Sequence, residues 1–349
     1  MNLEKSYLYL KQILKQGDTI VIGVSTGPDS MCLLYLLEKI QKEIPVKIIV
    51  AHVNHHVRKE AITEEKYIKK YCQKHKIICE VANLKPVKNN FEAVAHEFRY
   101  AFFKKLIKKY QANYLMTAHH GDDLIETILM RQLRGASLKG YAGMSLQTSY
   151  ENFSLVRPLL LYTKEDILEF ASLNNIKYFV DNTNFLDDHL RNRIRQNILP
   201  ALKKENPNVH LKYLQFSEEL VAADKVLQNL TNEIIKQVYN NNRLLIPAFL
   251  KQDKVIEERI IKLILKDLYK DNINIITNKQ VTNIIAMIYR KKPNETLLLP
   301  NGFIAIKNYN ELYFNKKDLK EVKIDNKKHK LRAVNNYNNQ IIKIVGECS

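Results

Sequence analysis

The sequence predicts an α/β protein, a doubly wound parallel sheet followed by a mainly helical C-terminal domain. Three observations carry that expectation. Apolar, β-branched runs at 19–24, 46–53, 77–82 and 114–117 alternate with helix-length segments, the pattern of strands joined by crossover helices. Polar clusters follow residues 24, 53 and 117, which places all three at the carboxyl edge where such sheets bind ligands. Past Pro200 and Pro207 the alternation stops and helical periodicity takes over.

Taken in order, residues 3–15 have helical spacing, and Gln16-Gly17-Asp18 ends that helix. Ile20, Val21, Ile22 and Val24 form a strand that runs into Ser25-Thr26-Gly27-Pro28-Asp29-Ser30. An apolar helix follows, with Met31, Leu33, Leu34, Leu36 and Leu37. A strand, a hydroxyl-and-glycine turn and a helix N-terminus offer free N–H groups and a positive dipole end to phosphate. Pro28 suits the first helical position, where its missing N–H costs nothing. The same turn also occurs as a plain Ser-capped connection.

The second strand carries His52 near its end, with Asn54, His55 and His56 just beyond. A charged helix at about 58–75, a third strand and a helix over 91–109 bearing Glu92, Arg99 and Tyr100 come next. The fourth strand opens into Ala118-His119-His120-Gly121-Asp122-Asp123 and another helix. Glu126 follows Asp123 at i+3, so the two carboxylates share a helical face. Beside a phosphate loop such a pair suits Mg²⁺, and it equally complements a helix dipole. His119 fits a contact to nucleotide phosphate or base; no further ligands at zinc spacing accompany the two histidines.

Thr163-Lys164-Glu165-Asp166 has the form of a capping box. Arg191, Arg193 and Arg195 alternate in a basic segment and suit bidentate phosphate contacts, although a solvated helix face would look the same. Helical patterns fill 210–240, 255–269 and 277–289, and a small β unit surrounds Asn301-Gly302. The domain boundary is expected near 207–212, giving domains of 1–208 and 209–349. The Lys/Asn-rich tail after about 316 is weakly patterned.

The 349 residues hold 55 Lys+Arg against 37 Asp+Glu, a formal charge of +18, which favours a polyanionic partner such as nucleic acid. Lys and Asn are used heavily throughout, so the charge alone does not single out that partner. Cys32, Cys72, Cys79 and Cys348 form no CxxC pair, as expected of reduced structural thiols. No signal-peptide layout and no membrane-length apolar run is present, so a soluble cytoplasmic protein without a membrane partner is expected.

Eight segments in order resemble the tRNA(Ile)-lysidine synthetases of the N-type ATP pyrophosphatase (PP-loop) superfamily. Residues 25–30 resemble its SGGxDS loop, and His52-Val53-Asn54-His55-His56-Val57-Arg58 its HxNHxLR segment. Residues 92–100 are similar to the EAxARxxRY helix. Residues 117–127 resemble T-A-H-H-x-D-D-x-x-E-T, the most diagnostic of the eight. Residues 134–144 look like RGxGxxGLxGM, beginning at Arg134. Arg157-Pro158-Leu159-Leu160, Asp181-Asn182-Thr183-Asn184 and Arg191-Asn192-Arg193-Ile194-Arg195 complete the series, which covers about 1–205.

The resemblance implies an adenine nucleotide α hydrolase-like fold and an ATP-dependent ligase. In that reaction ATP adenylates the C2 carbonyl oxygen of the wobble cytidine in the CAU anticodon of tRNA(Ile), pyrophosphate leaves, and the ε-amine of free L-lysine displaces AMP. It implies that Ser25, Thr26, Gly27, Pro28, Asp29, Ser30, His52 and Asn54 bind ATP, with Asp29 and Asp123 on Mg²⁺. Asp123 and Glu126 would hold the metal or the incoming ammonium, while Arg99 and His119 neutralise charge at the α-phosphate. Arg134, Arg191, Arg193 and Arg195 would line the RNA or nucleotide path, with the basic C-terminal domain on the tRNA body. Dimerisation is a further expectation, as is a short form of the enzyme.

Three departures stand out. Thr26 replaces a glycine, so a positive φ there would carry a cost. His96 replaces an arginine, and Phe179 stands where the family often has tryptophan. Two competing readings are a tRNA thiolase, which needs a reactive cysteine, and an inactive RNA-binding homologue.

Overall fold

The structure is a computed structural model. It describes residues 3–54, 60–84, 91–179, 190–270 and 275–316, with the backbone of 334–337 and 340–343. His55, His56 and Arg58, the 181–184 segment, the side chain of Glu92 and most of the tail after 316 lie outside the described residues.

After α1 (Glu4–Ile13), the chain runs β1 (Thr19–Gly23), α2 (Pro28–Gln41), β2 (Lys47–Asn54), α3 (Glu60–His75) and β3 (Ile78–Asn83). Then come α4 (Phe91–Tyr110), β4 (Tyr114–Met116), α5 (Gly121–Arg134), α6 (Leu138–Tyr141), β5 (Gln147–Ser149) and β6 (Ser154–Val156). The sheet order is β3-β2-β1-β4-β6-β5, parallel throughout except for the β5–β6 pair. Strand period divides the core. Ile20 and Ile22 join α1, α2, α3 and, from later in the chain, Ile167 and Phe170 on one face; Val21 joins Phe103, Leu106 and Ile107 of α4 on the other. Gly23 is needed there, because a Cβ would stand 2.7 Å from Cζ of Phe103.

The chain moves outward from β1 through β2 to β3, then returns to lay β4 on the other side of β1. That reversal opens a crevice between the carboxyl ends of β1 and β4, the place where ligands bind in open α/β sheets. Residues 25–30 and 117–123 leave the sheet at this crevice.

A 3₁₀ turn (Pro158–Leu161) leads to α7 (Lys164–Leu173), whose N-cap Thr163 accepts from the Asp166 N–H as its sequence pattern predicts. Beyond the undescribed segment, α8 (Leu190–Arg193) passes into a π-helical turn (Ile194–Ile198) and then α9 (Leu199–Glu205). A π turn inserts one residue into the helix and often marks a functional site.

The compact units are Met1–Val226 and Leu227–Ser349, dividing inside α10 (Val209–Val238) rather than at 208. The reason is packing: Val209 and Tyr213 cluster with Ile125 and Leu199, and Leu214 with Leu124 and Ile128, so the start of α10 belongs to the first unit. The change of pattern at Pro207 marks a helix start.

The second unit contains the expected helices α12 (Lys254–Tyr269) and α13 (Asn278–Tyr289), with the short α11 (Ile246–Phe249). Beside them is a five-stranded antiparallel sheet of β7 (Tyr239–Asn240), β8 (Arg243–Leu245), β9 (Asn294–Leu298), β10 (Phe303–Asn308) and β11 (Glu311–Lys316). It is larger than the single β unit the sequence suggests, because β7 and β8 are too short to show a period. Lys307 is buried and donates to the carbonyls of Met287, Ile288 and Arg290, closing the C-terminal end of α13. A further two-stranded ribbon pairs β12 (Val334–Tyr337) with β13 (Gln340–Lys343).

Candidate active site

The β1–α2 turn is built around one left-handed residue. Thr26 has φ 66°, Gly27 is the extended N-cap of α2, and Pro28 fills the first helical position. The hydroxyl of Ser30 accepts from the Ser25 N–H at 3.2 Å and reaches the Gly27 carbonyl at 3.1 Å, which folds the loop over the helix start. Ser25 is exposed and Thr26 fully buried. Asp29, in the first turn of α2, makes an ion pair with Lys164 at 2.6 Å.

Lys164 ties this loop to the second cluster. Its backbone N–H donates to Oδ2 of Asp122 at 3.1 Å, while Nζ of Lys203 donates to the same oxygen at 2.8 Å. Asp122 is therefore a buried tie between the starts of α5 and α7 and the helix α9. Lys164 and Lys203 are the site neighbours that sequence reading misses. Lys164 is hidden inside an ordinary capping box, and Lys203 lies 81 residues from its partner.

Asp123 turns back to its own helix start, where Oδ2 accepts from the His120 N–H at 3.0 Å. Burial pushes its carboxyl up, but the two histidine rings, that N–H and Arg195 outweigh it and hold the group below the usual range. It is a carboxylate at neutral pH. His119 places Nδ1 2.9 Å from the Thr117 hydroxyl. Burial pulls its imidazole down to about 4 against the opposing pull of Asp123. The ring is neutral near pH 7, so it serves as a hydrogen-bonding group and does not supply the positive charge the resemblance assigned to it.

Arg99 brings a positive charge to the same region. It is half-buried, burial lowers its guanidinium from the ordinary value, and it has no hydrogen-bond or ion-pair partner among the described residues. Its charge, with that of Arg157, acts on His119, so the structure brings Arg99 and the 117–123 cluster together.

Glu126 is fully buried and taken up by arginine. Nε and Nη2 of Arg195 reach its two oxygens at 2.6 and 3.0 Å, and Nε of Arg191 stands 3.5 Å away. Burial pulls the Arg195 guanidinium down, and the Glu126 carboxylate more than restores it, leaving it above its ordinary value. With both oxygens engaged, Glu126 positions the arginines and is not a free ligand for metal or ammonium. Arg193 and Arg134 are exposed.

His52 and Asn54 close the β2 side. The buried His52 places Nδ1 2.9 Å from the Val24 carbonyl, and Nδ2 of Asn54 donates to Glu65 at 2.7 Å. His52 braces the chain where β1 runs into the loop, and Asn54 ties the end of β2 to α3. Cys32 is fully buried in α2, where burial pushes its thiol up to about 12. That environment suits a structural thiol and no sulfur-transfer nucleophile.

The family model described as a PP-loop domain matches residues 2–202. A tRNA(Ile)-lysidine synthase of Bacillus cereus is 36% identical over 327 residues, covering 89% of this chain and 69% of that protein. The chain belongs to the tRNA(Ile)-lysidine synthase family. The family's Geobacillus kaustophilus member is 31% identical over 321 residues, with the same 89% and 69% shares. Among solved structures, the U34-tRNA thiolase NcsA of Methanococcus maripaludis aligns with a TM-score of 0.56. That alignment has 19% identity and covers 63% of this chain and 77% of the thiolase, a likeness of fold alone. As a lysidine synthase family member, the chain is a tRNA-modifying ligase on an ATP-using PP-loop fold. No helix among the described residues is long and apolar enough to cross a membrane.

Proposed function

We propose that the chain ligates free L-lysine to C2 of the wobble cytidine of the CAU anticodon of tRNA(Ile), through an adenylated tRNA intermediate, in the cytoplasm. The reading is supported above all by the crevice between β1 and β4. There the loop of Ser25, Gly27 and Ser30 and the helix start that carries Asp123 leave the neighbouring strands β1 and β4, Lys164 links Asp29 to Asp122, and the Arg99 charge acts on His119. Hydroxyls and N–H groups of the loop would hold the β- and γ-phosphates. Arg99, with His119 as a neutral hydrogen-bond donor, would take the charge that builds on the α-phosphate as pyrophosphate leaves.

Asp29 and Asp123 fit Mg²⁺. Asp29 lies in the first turn of α2 and Asp123 in the first turn of α5, the two helices that leave the crevice, and no group of three or more His, Cys, Asp or Glu among the described residues could hold a metal alone. They would share the ion with phosphate oxygens, as Mg²⁺ sites commonly do. When bound, the ion supplies charge neutralisation of the triphosphate. Arg134 and Arg193, both exposed, would meet the RNA backbone. The basic C-terminal unit would hold the tRNA body, and a homodimer is part of the same proposal.

The test is incorporation of labelled lysine into two transcripts with the CAU anticodon, tRNA(Ile) and tRNA(Met), in the presence of ATP. Lysine on tRNA(Ile) alone supports the reading. An unlabelled tRNA(Ile) that the protein nevertheless binds would favour the inactive homologue.

A further inference from the structure

We infer that Glu64, on α3, is a positioning residue for the phosphate loop and acts through the side chain of Thr26. The inference rests on residues 25–30 being the loop that holds ATP phosphates. At φ 66° Thr26 occupies a conformation that a β-branched residue takes only at a cost and glycine takes freely. Something outside the loop must hold it.

Two elements grip it. Its hydroxyl lies 2.5 Å from the Ser25 carbonyl and 3.2 Å from Oε2 of Glu64, so one proton is shared between a local acceptor and a charged one on α3. From the other side, the Phe179 N–H donates to the Thr26 carbonyl at 3.0 Å. The grip is itself braced. Tyr67, one turn beyond Glu64, packs edge-on against Phe179 with ring centroids 5.3 Å apart, and its hydroxyl donates to the Lys177 carbonyl at 3.2 Å.

The next carboxylate of α3 does the same for the neighbouring strand, since Oε2 of Glu65 accepts from Asn54 at 2.7 Å. Two successive glutamates thus tie α3 to the ends of β1 and β2. Without Glu64, Thr26 gains by relaxing towards negative φ, which rotates the 26–27 peptide and turns the Gly27 N–H away from an anion seated in the loop. With glycine at 26 there is no such drive, and Glu64 has nothing to hold.

Thr26 and Glu64 must therefore be coupled in ATP binding. ATP affinity is measured by titration calorimetry on the full chain carrying Glu64→Ala, Glu64→Gln, Thr26→Gly, or Thr26→Gly with Glu64→Ala, and steady-state kinetics on the same set separates KM from kcat. Glu64→Ala is expected to weaken ATP binding about tenfold when Thr26 is present. The loss should appear in KM for ATP more than in kcat. In the Thr26→Gly background the same change is expected to cost less than about twofold. Glu64→Gln, which keeps an acceptor oxygen and most of the fold, should restore most of the affinity. Equal losses in both backgrounds, or no loss in either, overturn the inference while ATP binding by the unsubstituted chain stands. Failure of the unsubstituted chain to bind ATP overturns the phosphate-loop reading itself, and the inference with it.

Discussion

Arg195 closes a two-pronged ion pair on Glu126, at 2.6 and 3.0 Å, from a π-helical turn sixty-nine residues further along the chain. The carboxylate is fully buried and the arginine side chain 44% exposed, so the guanidinium projects from a sealed acidic anchor toward solvent. Truncating the anchor leaves the arginine without its orientation. Glu126→Ala should cost about 1–3 kcal/mol in urea unfolding, the usual range for a lost charged hydrogen-bond pair. Arg195→Lys keeps the charge but loses the fork, so it should lower activity at least about tenfold with a smaller change in stability. Equal activity of Arg195→Lys and the unsubstituted protein would remove the geometric role.

The Asp29–Lys164 pair sets a second expectation. Asp29→Ala should abolish pyrophosphate release and leave tRNA binding nearly unchanged, because Asp29 sits at the phosphate loop. Pyrophosphate release by the unsubstituted chain and the variant at equal rates would refute the loop assignment. Filter binding of the tRNA transcript provides the control for folding.

Gly121 is fixed by contact. An added Cβ would lie 2.7 Å from Cβ of His210 and 2.9 Å from the Tyr162 carbonyl oxygen, to which the Gly121 N–H also donates at 2.7 Å. Gly121→Ala should therefore destabilise the fold by about 1–3 kcal/mol through overpacking. A thermal melt matching that of the unsubstituted protein would show that α5 and α10 can separate there without cost.

How much of this was legible in the sequence divides along a physical line. Strands β1 to β4 and helices α2 to α5 follow their periods to within a residue or two, and a cost at Thr26 is expected because it stands where the family's loop has glycine. Local features of this kind announce themselves. The Glu126–Arg195 pair, Asp122 bridging Lys164 and Lys203, and Glu64 on Thr26 link residues between 38 and 81 positions apart, and nothing in residue type or spacing reveals such pairings. The neutral state of His119 was hidden for the same reason, since it depends on burial. The strands β7 and β8 were missed because two or three residues cannot show an alternating period.

His52 makes stability depend on pH. Burial lowers its imidazole from the ordinary value, against weaker upward pulls from the Val24 carbonyl, Glu65 and Glu64. The unfolded chain therefore takes up a proton near pH 6.5 that the folded chain still refuses, and stability falls as pH drops below that point. Unfolding free energy measured from pH 7.5 down to pH 5 should decline, and His52→Gln should flatten the slope. An unchanged slope in His52→Gln would assign the acid sensitivity to other groups.

In the proposed reaction this crevice transfers AMP from ATP to tRNA before lysine arrives. The measurement closest to it is transfer of label from α-phosphate-labelled ATP to tRNA(Ile) transcript with lysine withheld. Label should accumulate on the tRNA with the unsubstituted protein, disappear when lysine is added, and be absent with Asp29→Ala. Lysine incorporation that proceeds with no adenylated tRNA detectable at any time, or with Asp29→Ala fully active, would contradict the account.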